Sequence, residues 1–509
     1  MEAKVITTRE MRALETNAGY FDLSLLQLME NAGHHVAQEI STKFPSRKTR
    51  ITVFCGLGGN GGDGFVAARH LISLGYPVHI VVAGEGTCIT HEAARRNWLV
   101  LQSLRNPELV TEVRDSSQAL EVKADVVVDA LLGTGLKGIP RQPTLSLIKA
   151  MNGMSAFRLA VDVPSGLDSD SGEVLGEVVR ADMTVTFHKP KPGLLKAKDH
   201  VGELLVRDIG VPKDLEGFAG PGDVYLAVKP RLAESHKGDS GRLLVVGGSE
   251  TYSGAPALVA FGALRAGVDL VYVAAPEKTA YAISSVSPDL ITVKLEGANL
   301  SLDHVNQIRD YFKKTTTTVI GPGLGLDEDT GRAVEGIVTA AEELGKPLLL
   351  DADGLKAFSG FQRQLRVPVV LTPHAGEFQA LTGKELPSDL SERVERVRKL
   401  AERLNAVVLL KGHTDIVSDG ERVKLNFTGN PGMTVGGTGD VLSGVVGALL
   451  AQNADPFEAA VAGAFINGAA GDFVKSEKGY HMVATDLLDW IPRVMNDPMS
   501  HLKVRGIAP

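Results

Sequence analysis

Short apolar runs ending in glycine, proline or aspartate alternate along the chain with stretches whose apolar residues recur every three or four positions. In the first half, "RITVFCG", "YPVHIVVAG", "ADVVVDALLG", "FRLAVDVPSG" and "DMTVTFHKP" are nearly continuous apolar runs between turn formers, which predicts buried strands. "DGFVAARHLISLG" and "HEAARRNWLVLQSL" carry helical spacing, and "TTREMRALETNAG" with "SLLQLMENAGHHVAQEI" predicts two leading helices. Strands buried on both faces and alternating with helices imply a parallel sheet covered on each side. Glycine, proline and charge break the pattern at "IGVPKDLEGFAGPGDVYLAVKP", residues 209–230, and it then restarts. "GRLLVVGGS", "DLVYVAAP", "TTTVIGPGLG", "KPLLLDADG", "VPVVLTPHAGEF" and "AVVLLKGHTDIVSDG" predict the second set of strands. "SGAPALVAFGALRAG" and "TGRAVEGIVTAAEELG" predict helices between them, and "ERVERVRKLAERL" (392–404) a charged surface helix. The expectation is two successive α/β domains.

Composition narrows the class without changing that picture. The 509 residues exceed one ordinary core, and 44% hydrophobic with 22% charged residues is globular composition. A net charge of −8 and the absence of a basic block argue against nucleic acid. Two cysteines, Cys55 and Cys88, make neither a disulfide framework nor a thiolate zinc site. The N-terminus has no apolar signal core and no apolar run reaches membrane-spanning length, so a cytoplasmic protein without membrane partners is expected. Small-molecule ligands and a homo-oligomeric assembly are the expected partners.

The chemistry gathers at the predicted strand ends. "CGLGGNGGDG" (55–64) packs six glycines between a strand and a helix, as a backbone that must approach a phosphate would. It is neither GxGxxG nor a P-loop, and taken alone it also fits a tight turn with Asp63 at a helix start. "VVVDALLGTGLKGIP" places Asp129 and a second glycine loop at another strand end, and "AVDVPSGLD" places Asp162 and Ser165 at a third. Parallel strands bring such ends to one edge. The oxygens of Asn60, Asp129 and Ser165 suit a hard cation. In the second half, "NPGMTVGGTGDVLSGVVGALLAQ" sets Gly436, Gly437 and Gly439 before an apolar helix, with Asp440 in its first turn. An aspartate beside an anion cradle is suited to act as general base toward a hydroxyl that attacks a phosphoryl group.

"GGNGGDG", "VVVDALLGTGLKGIP" and "AVDVPSGLDSDSG" resemble the NAD(P)H-hydrate epimerases over residues 1–215. The resemblance implies a Rossmann-like domain in which Gly59, Asn60, Gly61, Gly62 and Asp63, with Gly133, Thr134, Gly135, Leu136, Lys137, Gly138 and Ile139, hold the hydrated dinucleotide. It further implies that Asn60, Asp129 and Ser165 ligate potassium, and that Asp162 is the acid/base which inverts C6 of the hydrated ring. That family carries asparagine where this chain has Gly59.

"GGTGD", "HKGDSGRLLVVGGSETYSGAPALVAFGALRAG", "GPGLG", "DADGL", "LTPHAGEF" and "LLKGHTDIV" resemble the ribokinase-like ADP- or ATP-dependent NAD(P)H-hydrate dehydratases over 225–500. That implies Ala257, Gly323, His374 and Asp440 at the hydrate, Lys411, Gly412, His413, Thr414, Asp415 and Gly439 at the nucleotide, and Mg²⁺ as cofactor. Asp440 would activate the C6 hydroxyl for phosphorylation, and elimination would follow. NADHX and NADPHX are the implied substrates, with ADP favoured over ATP. Two rivals stand beside this reading: a kinase of a sugar, thiazole or pyrimidine alcohol, and a first domain that only binds. His34 and His35 are adjacent on a helix and face different ways, and Cys55 reads as a small apolar filler.

Overall fold

The computed structural model describes residues 5–116, 122–136 and 138–506. The chain divides into two compact units, Met1–Leu215 and Glu216–Pro509.

In the first unit seven strands form one parallel sheet: β1 (Ile51–Cys55), β2 (Val78–Ala83), β3 (Val110–Val113), β4 (Val126–Ala130), β5 (Phe157–Val161), β6 (Met183–Phe187) and β7 (Glu203–Arg207). Their order is β3-β2-β1-β4-β5-β6-β7, the Rossmann arrangement, so the winding reverses between β1 and β4. Every residue of β1, β4 and β6 is buried, which is why they read as unbroken apolar runs. The two strands that the hydrophobic pattern misses, β3 and β7, lie at the sheet edges and are largely part-exposed, so their sequences "VTEV" and "ELLVR" mix charge with apolar residues. Helix Thr8–Tyr20 starts with a reciprocal cap: Glu10 N–H donates to Thr7 Oγ1 (3.3 Å), and Thr7 N–H to Glu10 Oε2 (2.8 Å). Helix Leu25–Lys43 packs on helix Gly59–Ser73, and both bury their apolar faces in a core that includes Cys55.

The second unit carries β8 (Arg242–Val246), β9 (Leu270–Pro276), β10 (Ile291–Leu295), β11 (Thr317–Ile320), β12 (Leu348–Leu350), β13 (Val369–Leu371), β14 (Val407–Leu410), β15 (Asp415–Ser418) and β16 (Val423–Asn426). The order is β10-β9-β8-β11-β12-β13-β14-β15-β16, parallel as far as β14 and antiparallel beyond it. The expected single strand "AVVLLKGHTDIVSDG" is therefore two, β14 and β15, turned at Lys411–Thr414. Gly412 N–H donates to Asp415 Oδ1 (3.0 Å) and closes that turn. The sequence pattern also passes over β10 and β16, again edge strands with exposed or part-exposed positions. Apolar helix Thr438–Ala451 is buried along nearly its whole length, against helices Gly254–Arg265 and Pro456–Lys478. Helix Leu390–Leu404 turns Val397, Leu400, Ala401 and Leu404 inward and leaves most of its charges outside. Among the described residues no helix is long and apolar enough to cross a membrane.

Candidate active sites

The loops after β1 and β4 leave the first sheet where its winding reverses, the place at which open α/β sheets hold ligands. They line a cavity of about 610 Å³. Helix Gly59–Ser73 begins in the glycine loop, and its N-cap, Gly58, offers no side chain to satisfy the first amides. The glycines are sterically required: a Cβ on Gly61 would stand 1.9 Å from the Gly56 carbonyl oxygen. Gly59, Asn60, Asp63, Gly133, Thr134, Gly135, Leu136 and Asp162 all line the cavity. Gly61 and Gly62 form the buried first turn behind it, while Gly138 and Ile139 do not line it and Ile139 is 67% exposed. Lys137 lies outside the described residues.

Asp129 and Ser165 are fully buried beneath this cavity. The Asp129 carboxylate accepts from Ser165 N–H (2.7 Å), Ser165 Oγ (2.6 Å) and Leu131 N–H (3.2 Å), but has no cation partner among the described residues. Burial lifts its pKa to about 6 against the pull of those donors. Asn60 packs against Gly133, and both side-chain polar atoms are buried without a hydrogen-bond partner. An orphaned amide oxygen near a buried, uncompensated carboxylate loop is a donor set that a hard monovalent cation fits.

Asp162 follows β5 with φ 63°, a left-handed conformation that is unfavourable for a residue with a Cβ. Its N–H donates to Val185 O (2.8 Å), and its Oδ1 accepts from Thr186 Oγ1 (3.0 Å) and from Lys191 Nζ. Lys191 is 1% exposed and its ammonium also donates to Phe187 O (3.2 Å). Two further carboxyls open on the cavity, Glu15 and Asp63. Burial, then the charge of Asp162, raises Glu15 to about 7. Burial first, with Asp162 and Glu15 adding to it, pushes Asp63 well above the carboxylate range. Glu15, Thr186 and Lys191 escaped the sequence reading. Glu15 is hidden in an amphipathic helix; Lys191 carried a usable signal, a lysine four residues beyond a buried strand and directly before "PG".

In the second unit Gly437 (φ 98°) caps helix Thr438–Ala451, and Asp440 sits in its first turn. Lys411, at the end of β14, forms an ion pair with Asp351 Oδ1 (2.8 Å) and lies 3.9 Å from Glu377 Oε2. Ser443 Oγ donates to Asp351 Oδ2 (2.7 Å), tying the same helix to that pair. Burial would lower the lysine, but Asp351 and Glu377 outweigh it and raise its pKa. Asp440 rises to about 7, through burial first and then Asp351, with Lys411 opposing and Asp353 and Glu377 adding. A Cβ on Gly439 would lie 3.5 Å from Lys411 Nζ, so the glycine loop and the lysine are neighbours.

His374 Nδ1 accepts from Gly376 N–H (3.0 Å) and Glu377 N–H (3.2 Å), which caps helix Ala375–Thr382. Its Nε2 therefore carries the proton, and its side chain is 57% exposed. Gly323 (φ 70°) would clash with Tyr252 if it bore a Cβ, and the neighbouring Gly325 N–H donates to Asp353 Oδ2 (2.9 Å). Ala257 is buried on helix Gly254–Arg265, whose Leu258 abuts Gly437. Gly412 and His413 are exposed in the β14–β15 turn, with Thr414 part-exposed beside them. Asp415 accepts from Asn426 Nδ2 (3.0 Å) and is raised to about 6 by burial. Among the described residues no group of three or more His, Cys, Asp or Glu side chains is arranged to hold a metal ion. Asp351, Asp353, Glu377 and Ser443 were not singled out from sequence, although "DADGL" and "TPHAGEF" contain three of them.

Residues 243–493 match the family described as NAD(P)H-hydrate dehydratase, and residues 25–193 the family described as YjeF-related protein N-terminus. A bifunctional NAD(P)H-hydrate repair enzyme of Pyrobaculum aerophilum is 48% identical over 497 residues, covering 96% of this chain and 98% of its own length. Its counterpart from Hyperthermus butylicus is 45% identical over 502 residues, covering 97% and 93%. A solved ADP/ATP-dependent NAD(P)H-hydrate dehydratase from Bacillus subtilis, co-crystallised with ATP and Mg²⁺, is 30% identical with a TM-score of 0.48, covering 55% of this chain and 97% of that one.

Proposed function

This chain belongs to the family of bifunctional NAD(P)H-hydrate repair enzymes, and from that premise we propose a division of labour between its two units. Residues 1–215 interconvert the R and S hydrates of NADH and NADPH. Residues 225–500 dehydrate the S hydrate at the expense of ADP or ATP. The observation that carries this reading is a largely shielded carboxyl beside a lysine and a glycine-rich loop, found in each unit: Asp162 with Lys191, and Asp440 near Lys411.

In the first unit the amides of Gly59–Asp63 and the loop Gly133–Ile139 receive the pyrophosphate and ribose. Asp162, oriented by Thr186 and Lys191, exchanges a proton at the C6 hydroxyl of the hydrated ring. A potassium ion held by Asn60, Asp129 and Ser165 would supply fixed positive charge beside the phosphate loop.

In the second unit Asp440 takes the proton of the C6 hydroxyl as that oxygen attacks the terminal phosphoryl group of the nucleotide. Amides at the start of helix Thr438–Ala451 face the charge being transferred, and Lys411–Asp415 with Gly439 hold the nucleotide. The C6–O bond of the phosphorylated hydrate then breaks with loss of a C5 proton, which releases phosphate and restores the dihydronicotinamide. Ala257, Gly323 and His374 line the hydrate's place. Mg²⁺ would be carried chiefly on the nucleotide phosphates and would neutralise their charge.

The test is to add the protein and Mg²⁺ to mixed-epimer hydrated NADPH with ADP, ATP or neither, and to follow the return of reduced-nicotinamide absorbance. Recovery of both epimers, dependent on nucleotide and faster than their spontaneous exchange, is expected. Recovery that stops when the S epimer is spent would reduce the first unit to a binding module. No recovery with either nucleotide would favour a kinase of another alcohol.

A further inference from the structure

Three carboxyls share the cavity of the first unit, Glu15, Asp63 and Asp162, and a single fully buried cation, Lys191, sits among them. That cation is bonded to Asp162. Glu15 has neither a hydrogen bond nor an ion pair among the described residues, so it is free to meet a ligand. We infer that Glu15 is a second catalytic residue of the epimerase, the proton donor that works with Asp162 as base.

This inference rests on the epimerase reading and specifies its chemistry. C6 of the hydrated ring bears a hydroxyl and the ring nitrogen N1, so it is a hemiaminal carbon. Asp162 removes the hydroxyl proton, the C6–O bond gains its second bond, and the C6–N1 bond breaks. Its electron pair passes to N1, which is conjugated with the ring carboxamide, and Glu15 protonates N1. Rotation about C5–C6 presents the other aldehyde face. N1 attacks it, Glu15 recovers its proton, and Asp162 returns the other to oxygen. Nothing is consumed. The assignment needs a base and a proton donor in one cavity, and their surroundings differ in that way: Thr186 and Lys191 both donate to the Asp162 carboxylate, while Glu15, without such donors, is raised to about 7 by burial first and then by the Asp162 charge. The charged and titratable groups facing Glu15 are Arg12 on its own helix, Asp63, His91, Asp162 and Lys191.

The experiment measures R-to-S exchange without nucleotide, by separating the epimers at timed intervals from pH 6 to 8.5. For wild type an alkaline limb near pH 7 is expected. Glu15→Gln should lower kcat by about 100-fold or more, lose that limb, and unfold at no lower temperature than wild type; Glu15→Asp should recover part of the rate together with a limb. Exchange by Glu15→Gln at the wild-type rate with the wild-type pH profile overturns the proposal. Should Glu15→Gln fail to fold, a wild-type rate that does not fall between pH 6 and 8.5 overturns it instead. A wild-type protein that does not exchange the epimers at all refutes the epimerase reading, whatever Glu15 does.

Discussion

Both units pair a lysine with an aspartate beyond the end of a parallel strand, but the lysines hold different partners. In the first unit Lys191 grips Asp162, the residue assigned to the chemistry, and leaves Glu15 and Asp63 uncompensated. In the second, Lys411 grips Asp351, and the assigned base Asp440 is the carboxyl left over. Desolvation by burial raises a carboxyl's pKa, and a nearby ammonium opposes that rise. Burial raises one carboxyl to about 7 in each unit, Glu15 in the first and Asp440 in the second, and the proposed chemistry uses them in opposite senses: Glu15 as donor beside the base Asp162, and Asp440 as the base itself.

The largest effect should come from removing that poised base. Asp440→Asn is expected to slow nucleotide-dependent dehydration by about 10²–10⁴-fold while nucleotide still binds, as calorimetry on the variant would show. Unimpaired turnover would erase the distinction drawn for the second site. Next in size is the loss of the lysine from the first. Lys191→Met removes the ammonium bonded to Asp162, and breaking a buried pair in this way costs roughly 3 kcal/mol or more. Hydrogen exchange during denaturant unfolding should report the loss in residues 51–207, and epimer exchange should fall with it.

A third prediction concerns stability and has the reverse sign. Asp440 has a folded pKa near 7, above its unfolded value near 4, so the folded chain binds more protons in that interval. Its contribution to stability is therefore lost as pH rises from about 4 to 7, and the full penalty remains above pH 7. Asp440→Asn should be more stable than wild type at pH 8, on the order of 1–3 kcal/mol, and should match it below pH 4. Unfolding curves at the two pH values check both halves of that statement. The smallest effect belongs to Gly59→Asn. A Cβ there meets only His91 Nε2, at 3.8 Å, so the side chain fits and adds one polar contact to the first cavity. A change in the KM of epimer exchange of about three-fold or less is expected, with kcat unmoved.

The strands buried on both faces and both glycine loops were legible in the sequence because burial and close backbone approach leave direct marks, apolar runs and missing side chains. The edge strands β3, β7, β10 and β16 left weaker marks, since most positions of each are exposed or part-exposed. The hairpin β14–β15 was hidden because Gly412 and Asp415 close its turn inside what reads as one apolar segment. Asp162 and Asp440 stood out by position next to glycine loops. Glu15, Lys191, Asp351 and Glu377 did not, because what gives each its character is another charged side chain far away in sequence. Asp351 and Lys411 are separated by 59 residues of intervening chain that no local pattern spans.

The most direct measurement is the pH dependence of the two reactions in the same intact chain, between pH 6 and 8.5. Epimer exchange is followed without nucleotide, and dehydration is followed on pure S hydrate with saturating nucleotide and Mg²⁺. The account predicts opposite limbs near pH 7: exchange falls as Glu15 loses its proton, and dehydration rises as Asp440 loses its own. Parallel limbs, or two flat profiles, would contradict it.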